Sequence, residues 1–441
     1  MPMIWTREKA TRRCARRLAT HPLAAAALAC ALGAAGMAAA AQAQEPPPAS
    51  GESTGVSVVA EPTTDVFDLI REWRGKPPPP PPGPDDYKKL MAAGSPIVSY
   101  SPTSGFGVGL AGNVAFYEGF PTTTSISSMV ASLTATSKSQ LLLSAKLNAF
   151  TLNNRWRIEG DNRLYWTSQK TYGLGTGTAE ADAVDQKYDF FRFYETVYRQ
   201  LHGPVYLGAE FLYSNHTDVK PNDDAATAAW AESPYVRYSE AHGFDPGQQT
   251  SAGFGLHALF DNRDSLINPS RGWYAHAAYR MFVQGFLGGD SSWQQLSCDT
   301  RTYLRLSRDA RHRLAFWLSG DFVTGGVPPY LDLPATGMDL YARSGRGYPQ
   351  GRFRGESLLY GEAEYRWTLS GNGLLGMVAF LNTETLRNKE TGEKLFDSFA
   401  TGAGVGLRVM LNKRSKTNLC FDVGRGKEGS KGVYFAVQEA F

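Results

Sequence analysis

The sequence predicts an all-β fold, a transmembrane antiparallel β-barrel of about sixteen strands, on four observations. From Ile97 onward, segments of about ten residues alternate apolar and polar side chains and are broken by Gly, Asn, Asp, Ser and Pro. Past the N-terminal region no apolar run approaches the ~20 residues that a spanning helix needs. Mean hydropathy is -0.32, too polar for a helical membrane protein. Within the segments one face is apolar, and the other collects Glu and Arg that a wet lumen accommodates and a dry sandwich core does not.

The N-terminus reads as an export signal. Arg7, Lys9, Arg12, Arg13, Arg16 and Arg17 make a basic region, an Ala/Leu-rich stretch runs from Leu23 to Ala40, and Ala41-Gln42-Ala43 is a small-residue site. A secretory signal peptide is therefore expected over 1–43, cleaved before Gln44. The alternatives are a retained anchor, twin-arginine export through Arg12-Arg13, or a lipoprotein site at Leu28-Ala29-Cys30. Of 45 Lys+Arg and 42 Asp+Glu, six and one fall in that segment, which leaves 39 against 41. The pI of 8.5 thus belongs to the signal, and no nucleic-acid partner is implied. Cys14 and Cys30 lie there too. Alternation puts Cys298 on the lipid-facing side with Leu296, Leu304 and Leu306, and Cys420 inward, so both are expected as free thiols despite a compartment that permits disulfides.

Residues 44–96 read as a periplasmic tether, Pro-rich at Glu45–Pro48 and again from Pro77 to Pro82. Such runs favour extended polyproline II and cannot join a ladder. Between them, 63–74 can form one short helix with Val66, Leu69, Ile70 and Trp73 on one face. A disordered linker with a transient helix is the plain reading; docking in the barrel mouth or on a periplasmic partner is the other.

The barrel is expected over 97–441, with strands at 97–100, 105–117, 125–136, 140–152, 155–166, 187–201, 205–215, 249–261, 272–283, 292–306, 313–323, 358–369, 374–384, 397–411, 417–424 and 432–441. An even count returns both termini to one side, the periplasm, and places the protein in the cell outer membrane. Connections alternate accordingly. Asn153-Asn154, His202-Gly203-Pro204 and Gly371-Asn372-Gly373 are short, whereas 167–186, 216–248, 324–357 and 385–396 are long. Faces separate as well: Ala363, Tyr365, Trp367 and Leu369 oppose Glu362, Glu364 and Arg366, and Val405 and Leu407 oppose Gly402, Gly404, Gly406 and Arg408.

Several motifs then coincide. Asp261-Asn262-Arg263-Asp264 with Asn268-Pro269-Ser270-Arg271-Gly272 resembles the D-x-R-D…P-x-x-G turn of the bacterial surface-antigen family, the barrel part of the BamA/TamA outer-membrane assembly proteins. Gly345-Arg346-Gly347-Tyr348 is similar to that family's V-R-G-F/Y motif, and Glu364-Tyr365-Arg366 to its E-Y-R strand. Residues 402–408, Asp422 and Phe441 match its closing strands. The resemblance covers about 97–441 and implies that the long sixth extracellular loop, 324–357, folds into the lumen. It also implies that Arg346, flanked by Gly347 and Tyr348, anchors that loop to a carboxylate of the inner wall. Where the family has F-x-D-x-G, this chain has Phe380-Leu381-Asn382-Thr383-Glu384. Asn382 thus replaces the usual Asp, and Asn382, Glu384, Glu362 and Glu364 are the candidate partners. Asp261, Arg263, Asp264, Pro269 and Gly272 are expected to form a periplasmic turn held by its own side chains. Phe435, Val437 and Phe441 fit a C-terminal barrel signal, which Glu439 interrupts. The family's assembly proteins carry periplasmic POTRA domains. A tether of roughly fifty residues cannot bury the core of one, so client capture by that route is not expected.

No catalytic set is expected. The lone G-x-S-x-G, Gly51 to Gly55, lies in the tether without strand or helix context. His257 and His276 are placed inward on adjacent strands, as satisfied lumen groups rather than a metal pair. Gly173 to Gly177 lacks the strand–helix setting of a phosphate loop. No cofactor or metal is implied. The expected partners are outer-membrane lipid, lipopolysaccharide whose phosphates the stretch Arg425 to Lys431 meets, and unfolded outer-membrane protein clients or a periplasmic partner. Three roles remain open: assistance of protein insertion or translocation at the seam of first and last strands; a loop-plugged pore for small solutes or lipids; and a structural surface barrel.

Overall fold

The protein, seen in a computed structural model, is described over residues 64–77, 88–223, 226–413 and 416–441. The expected signal peptide and most of the tether lie outside these residues. Sixteen antiparallel strands close into a barrel in nearest-neighbour order. They are β1 Met91–Ser101, β2 Gly105–Phe116, β3 Ser127–Thr136, β4 Leu141–Phe150, β5 Trp156–Thr171, β6 Val184–His202, β7 Val205–Pro221 and β8 Gln249–Asp261; then β9 Gly272–Phe282, β10 Trp293–Arg305, β11 His312–Gly326, β12 Ser357–Thr368, β13 Leu375–Arg387, β14 Ala400–Asn412, β15 Thr417–Arg425 and β16 Lys431–Val437. Among the described residues no helix is long and apolar enough to cross a membrane.

Alternation sets the two surfaces. Leu110, Leu256, Leu318, Leu381 and Val405 project outward and are exposed, as a lipid-facing band requires. Glu362, Glu364, Arg366 and Arg408 project inward and are buried. Cys298 is exposed and Cys420 buried, both as free thiols.

Five strands depart from the sequence reading. β1 starts at Met91, not Ile97, and is a full-length strand. Gly94 and Pro96 disguise it, yet proline is admissible on a strand with little ladder on one side, and β1 meets β16 through the single pair Tyr100↔Phe435. β5, β6 and β7 run past their expected ends, because polar residues such as Ser168, Gln169, Asp185 and Lys220 continue the pleat where polarity alone suggests loops. Finally, β16 ends at Val437 rather than Phe441: Gln438 takes φ +78°, and the chain turns away from the sheet.

The ends of the barrel differ. One carries short turns and the helix α1, Val66–Trp73, and is called the tether end here. Asp65 caps α1, accepting from Asp68 N at 2.8 Å, while Asp68 accepts from Asp65 N at 3.2 Å. That box satisfies the first turn. The helix is fastened to the barrel by Thr64 N to Asn372 O at 2.9 Å and by Lys413 N to Asp65 at 3.0 Å. The long-loop end carries α2, Thr227–Ala231, and α3, Pro234–Ala241. Pro234 at the first position and Ser233 as cap start α3. Its Tyr235 and Tyr238 pack on Tyr330 to form an apolar dome.

Candidate functional site

The segment 327–356, between β11 and β12, touches widely separated parts of the inner wall. Leu340 O accepts from Arg163 of β5 at 2.9 Å, and Gln350 O from Gln169 of β5 at 2.9 Å. Arg354 donates to the carbonyls of Tyr330, Leu331 and Leu333 at 3.0–3.1 Å, which shapes the segment's first turn under the dome.

Arg346 lies at the far side of this segment, fully buried. Its guanidinium donates to Glu362 and Glu364 of β12, and to Asp422 of β15 at 2.7 Å. The Phe380 ring lies under it, 3.8 Å from ring centre to guanidinium carbon. The network continues outward. Arg366 binds Glu364 at 2.6 Å, Arg408 binds Asp422 at 2.5 Å and Glu439 at 2.7 Å, and Tyr360 donates to Glu362. Each guanidinium meets carboxylates in near-dry surroundings, where such charge-assisted bonds are strongest and least replaceable.

The neighbouring residues fix the backbone. Gly347 N donates to Tyr434 OH at 3.0 Å and Gly347 O accepts from Ser430 at 2.8 Å. Tyr348 OH donates to Thr401 O at 2.7 Å. Inward glycines supply the room: a Cβ on Gly402 would stand 2.7 Å from Arg346 O, and one on Gly424 2.9 Å from Gly347 N. Of the four expected partners, Glu362 and Glu364 bind the guanidinium. Asn382 binds the Arg346 carbonyl instead, at 2.9 Å. Glu384 does not reach Arg346; it accepts from Thr336 at 2.7 Å, because its position on β13 lies nearer the loop end. Asp422 was missed as a partner. Its parity with Cys420 and Gly424 marks it as inward, but only ring closure brings β15 beside the loop.

At the tether end, Arg263 grips Asp261 with two bonds of 2.8 Å, and Arg157 of β5 reaches Asp261 at 3.3 Å. Asp264 accepts from Ser270 N at 2.8 Å and from Arg305 at 3.1 Å, beside the buried Pro269. Gly272 has φ +105°, and a Cβ there would meet Asn262 O at 2.7 Å, so the turn demands glycine.

The seam between first and last strands is thin. β1 pairs with β2 through eleven residues, and β16 with β15 through seven, but β1 and β16 share only Tyr100↔Phe435. Phe435 and Val437 lie on the outward face, where Phe435 pairs with the exposed Phe421. Phe441 does not: it is buried against Trp317, ring centres 5.3 Å apart, and its carbonyl accepts from Arg366 at 2.9 Å. Glu439, the interruption in the apolar pattern, is the residue that turns inward to Arg408.

His257 and His276 do meet, at 2.9 Å, in a chain that runs to Glu210 at 2.8 Å and includes Tyr198. Arg280 closes it on Glu210 at 2.7 Å. Among the described residues no three His, Cys, Asp or Glu are placed to hold a metal ion.

Comparison with known proteins follows the same geometry. The model of the Omp85 superfamily domain matches residues 122–432. BamA from Haemophilus ducreyi lacking POTRA domains 1–3 superposes with a TM-score of 0.51 at 12% identity, over 79% of this chain and 70% of that one. CdiB from Acinetobacter baumannii gives 0.50 at 14%, over 80% and 60%, and CdiB from Escherichia coli 0.50 at 11%, over 79% and 63%. At these identities the likeness is one of fold. The chain spans less than two thirds of either CdiB. No curated protein matches.

Proposed function

The chain belongs to the Omp85 superfamily, and from that premise we propose that it assists insertion or translocation of outer-membrane proteins along its β1–β16 seam. Membership places the barrel in the bacterial outer membrane. The observation that carries the reading is the seam itself, one residue pair wide between strands that pair fully on their other sides. An edge with open N–H and C=O groups is a template for an incoming strand. In this reading the tether end faces the periplasm, the long loops face outward, and residues 1–43 are removed on export. Arg346 anchors the 327–356 loop as a plug, so a client travels beside the seam and not through the pore.

The test is folding of a small unfolded barrel in liposomes containing the protein. A Tyr100→Cys/Phe435→Cys variant in a Cys298→Ser background can be locked by oxidation. Acceleration that disappears on oxidation and returns on reduction supports the seam; equal rates in both states overturn it. No acceleration by a barrel that remains folded, judged by heat-modifiable gel mobility, overturns insertion outright.

A second reading, a pore closed by its own loop, has a specific observation behind it. The 327–356 segment is held at two places, by Tyr330 in the apolar dome and by Arg346 on the carboxylates of β12 and β15. Deletion of 327–356 then raises single-channel conductance in planar bilayers, and an unchanged trace rejects the pore.

A further inference from the structure

At the long-loop end a cavity of about 320 Å³ reaches from the outer end of the seam to the long-loop ends of β5 and β6. Pro102 and Thr103 of the β1–β2 turn form one side, and Ser430 and Lys431 at the start of β16 form the other. Its size is at the lower limit of small-ligand sites, ~300 Å³.

The charge in this cavity is unbalanced. Lys138, Lys170, Arg352, Lys427 and Lys431 line it against Glu180, Asp185 and Glu428. The contacts between them are loose: Arg352 stands 3.5 Å from Glu180 and 3.4 Å from Glu428, and Lys170 stands 3.6 Å from Glu180. Two of the ammonium groups bind neutral atoms. Lys138 donates to the carbonyls of Pro102 and Thr103 at 2.9 and 2.8 Å, and Lys427 to that of Thr176 at 3.0 Å. Carbonyls orient an ammonium without cancelling its charge. Burial pushes the Lys138 ammonium below its ordinary value; Asp185 opposes this and Lys170 adds to it. Ser168, Gln169, Gln350 and Ser430 add hydroxyl and amide groups to the lining, each of which also holds a partner within the protein: Ser168 accepts from Gln140, and the other three donate to the carbonyls of Gln350, Gly337 and Gly347. Compact lysine charges suit a phosphate as point partners, and hydroxyl and amide groups suit the hydroxyls of a sugar.

We propose that this cavity binds a phosphorylated saccharide, and that the bound ligand ties the β1–β2 turn to the β15–β16 loop and so clamps the seam at its outer end. The binding site stands on the cavity alone; only the clamp rests on the seam reading given above. Gln350 N already donates to Thr103 Oγ1 at 2.8 Å, so the plug segment and the β1–β2 turn are coupled where the ligand would sit. A phosphate between Lys138 and Lys431 extends that coupling across the gap.

The test uses the full protein in detergent, with thermal stability and calorimetric titration as readouts. The probes are glucose 6-phosphate, glucose, inorganic phosphate and intact lipopolysaccharide. Glucose 6-phosphate is expected to bind at least ~10-fold more tightly than glucose or phosphate, a difference of about 1.4 kcal/mol. Lys138→Gln/Lys431→Gln is expected to erase that preference, and Lys138→Arg/Lys431→Arg to retain much of it, both with wild-type gel mobility. Tighter binding of lipopolysaccharide than of the free sugar phosphate identifies the membrane as the source; the reverse identifies a soluble one. Equal binding of glucose and its phosphate, phosphate binding as tightly as the sugar phosphate, or indifference to the lysine variants overturns the site. The clamp is read separately, from disulfide formation in Tyr100→Cys/Phe435→Cys. Faster closure with ligand supports it, and binding with unchanged closure overturns it while leaving the site intact.

Discussion

Arg346 Nη1 donates to Asp422 Oδ2 at 2.7 Å, across 76 residues of sequence. The bond joins the segment between β11 and β12 to β15, and Arg408 holds the other oxygen of the same carboxylate. Removing the guanidinium leaves Glu362, Glu364 and Asp422 facing one another without their shared cation. Arg346→Ala is therefore expected to destabilise the barrel by about 3–5 kcal/mol, read as a lower urea midpoint in detergent. Arg346→Lys recovers little, since one ammonium cannot span three carboxylates.

Gly402→Val places a side chain where Arg346 O and Asn382 Oδ1 stand 2.7 and 2.8 Å from the new Cβ. The segment 345–348 must move, at a cost of about 1–3 kcal/mol. Trypsin is expected to cleave after Arg343 or Arg346 faster than in the wild type, whereas Gly361→Ala, where the Cβ meets open space, leaves the digestion pattern unchanged.

Hydrogen exchange reports the seam directly. Amides of 91–99 on the β16 side, and those of 436–437 on the β1 side, lack ladder partners across the gap, so they exchange far faster than those of β8 and β9. Uniform protection around the ring contradicts this.

Acid dependence follows from α1. The Asp68 carboxyl is held below its ordinary value, chiefly by the hydrogen bond from Lys413, with burial opposing it. A depressed pKa contributes stability that is complete above the unfolded value and lost as pH falls through the folded one. Docking of α1 is thus expected to be constant from pH 8 down to about 5 and to weaken only below about 4. Faster proteolytic cleavage at Arg71 and Arg74 reads the release. Lys413→Ala weakens docking at neutral pH and shrinks the acid transition to what the Asp65 amide and Arg71 contribute.

The two thiols separate by accessibility. Cys298 is expected to react with a membrane-permeant maleimide in the folded state, and Cys420 only after denaturation.

The barrel was legible because alternation is local: each residue's face is settled by its immediate neighbours. Strand number and the inward placement of Glu362, Glu364 and Arg408 follow from that alone, and the family motifs singled out Arg346. Closure is a different matter. Asp422 as the third partner of Arg346, the inward burial of Phe441, and the pairing of Glu439 with Arg408 depend on which strands ring closure brings opposite one another. Nothing within a ten-residue window carries that information. Glu384 failed as a partner for the same reason: it is on the right face, one step too far along β13. The first six residues of β1 merge with the Pro-rich tether in sequence, and Pro96 among them is tolerated in a strand because its β16 neighbour is nearly absent.

β8 and β9 lie diametrically across from the seam in the sixteen-strand order. That arc is cross-linked by side chains as well as by its ladder. Glu210 of β7 binds His257 of β8 and Arg280 of β9 at 2.8 and 2.7 Å, and Arg157 of β5 reaches over to Asp261 at 3.3 Å. Mechanically this is a split ring with a stiffened back. A radial load spreads little strain into the reinforced arc and concentrates displacement at the slit. Lateral pressure in the surrounding lipid, or its relief where the bilayer thins, therefore acts on one hinge line instead of deforming the whole cylinder.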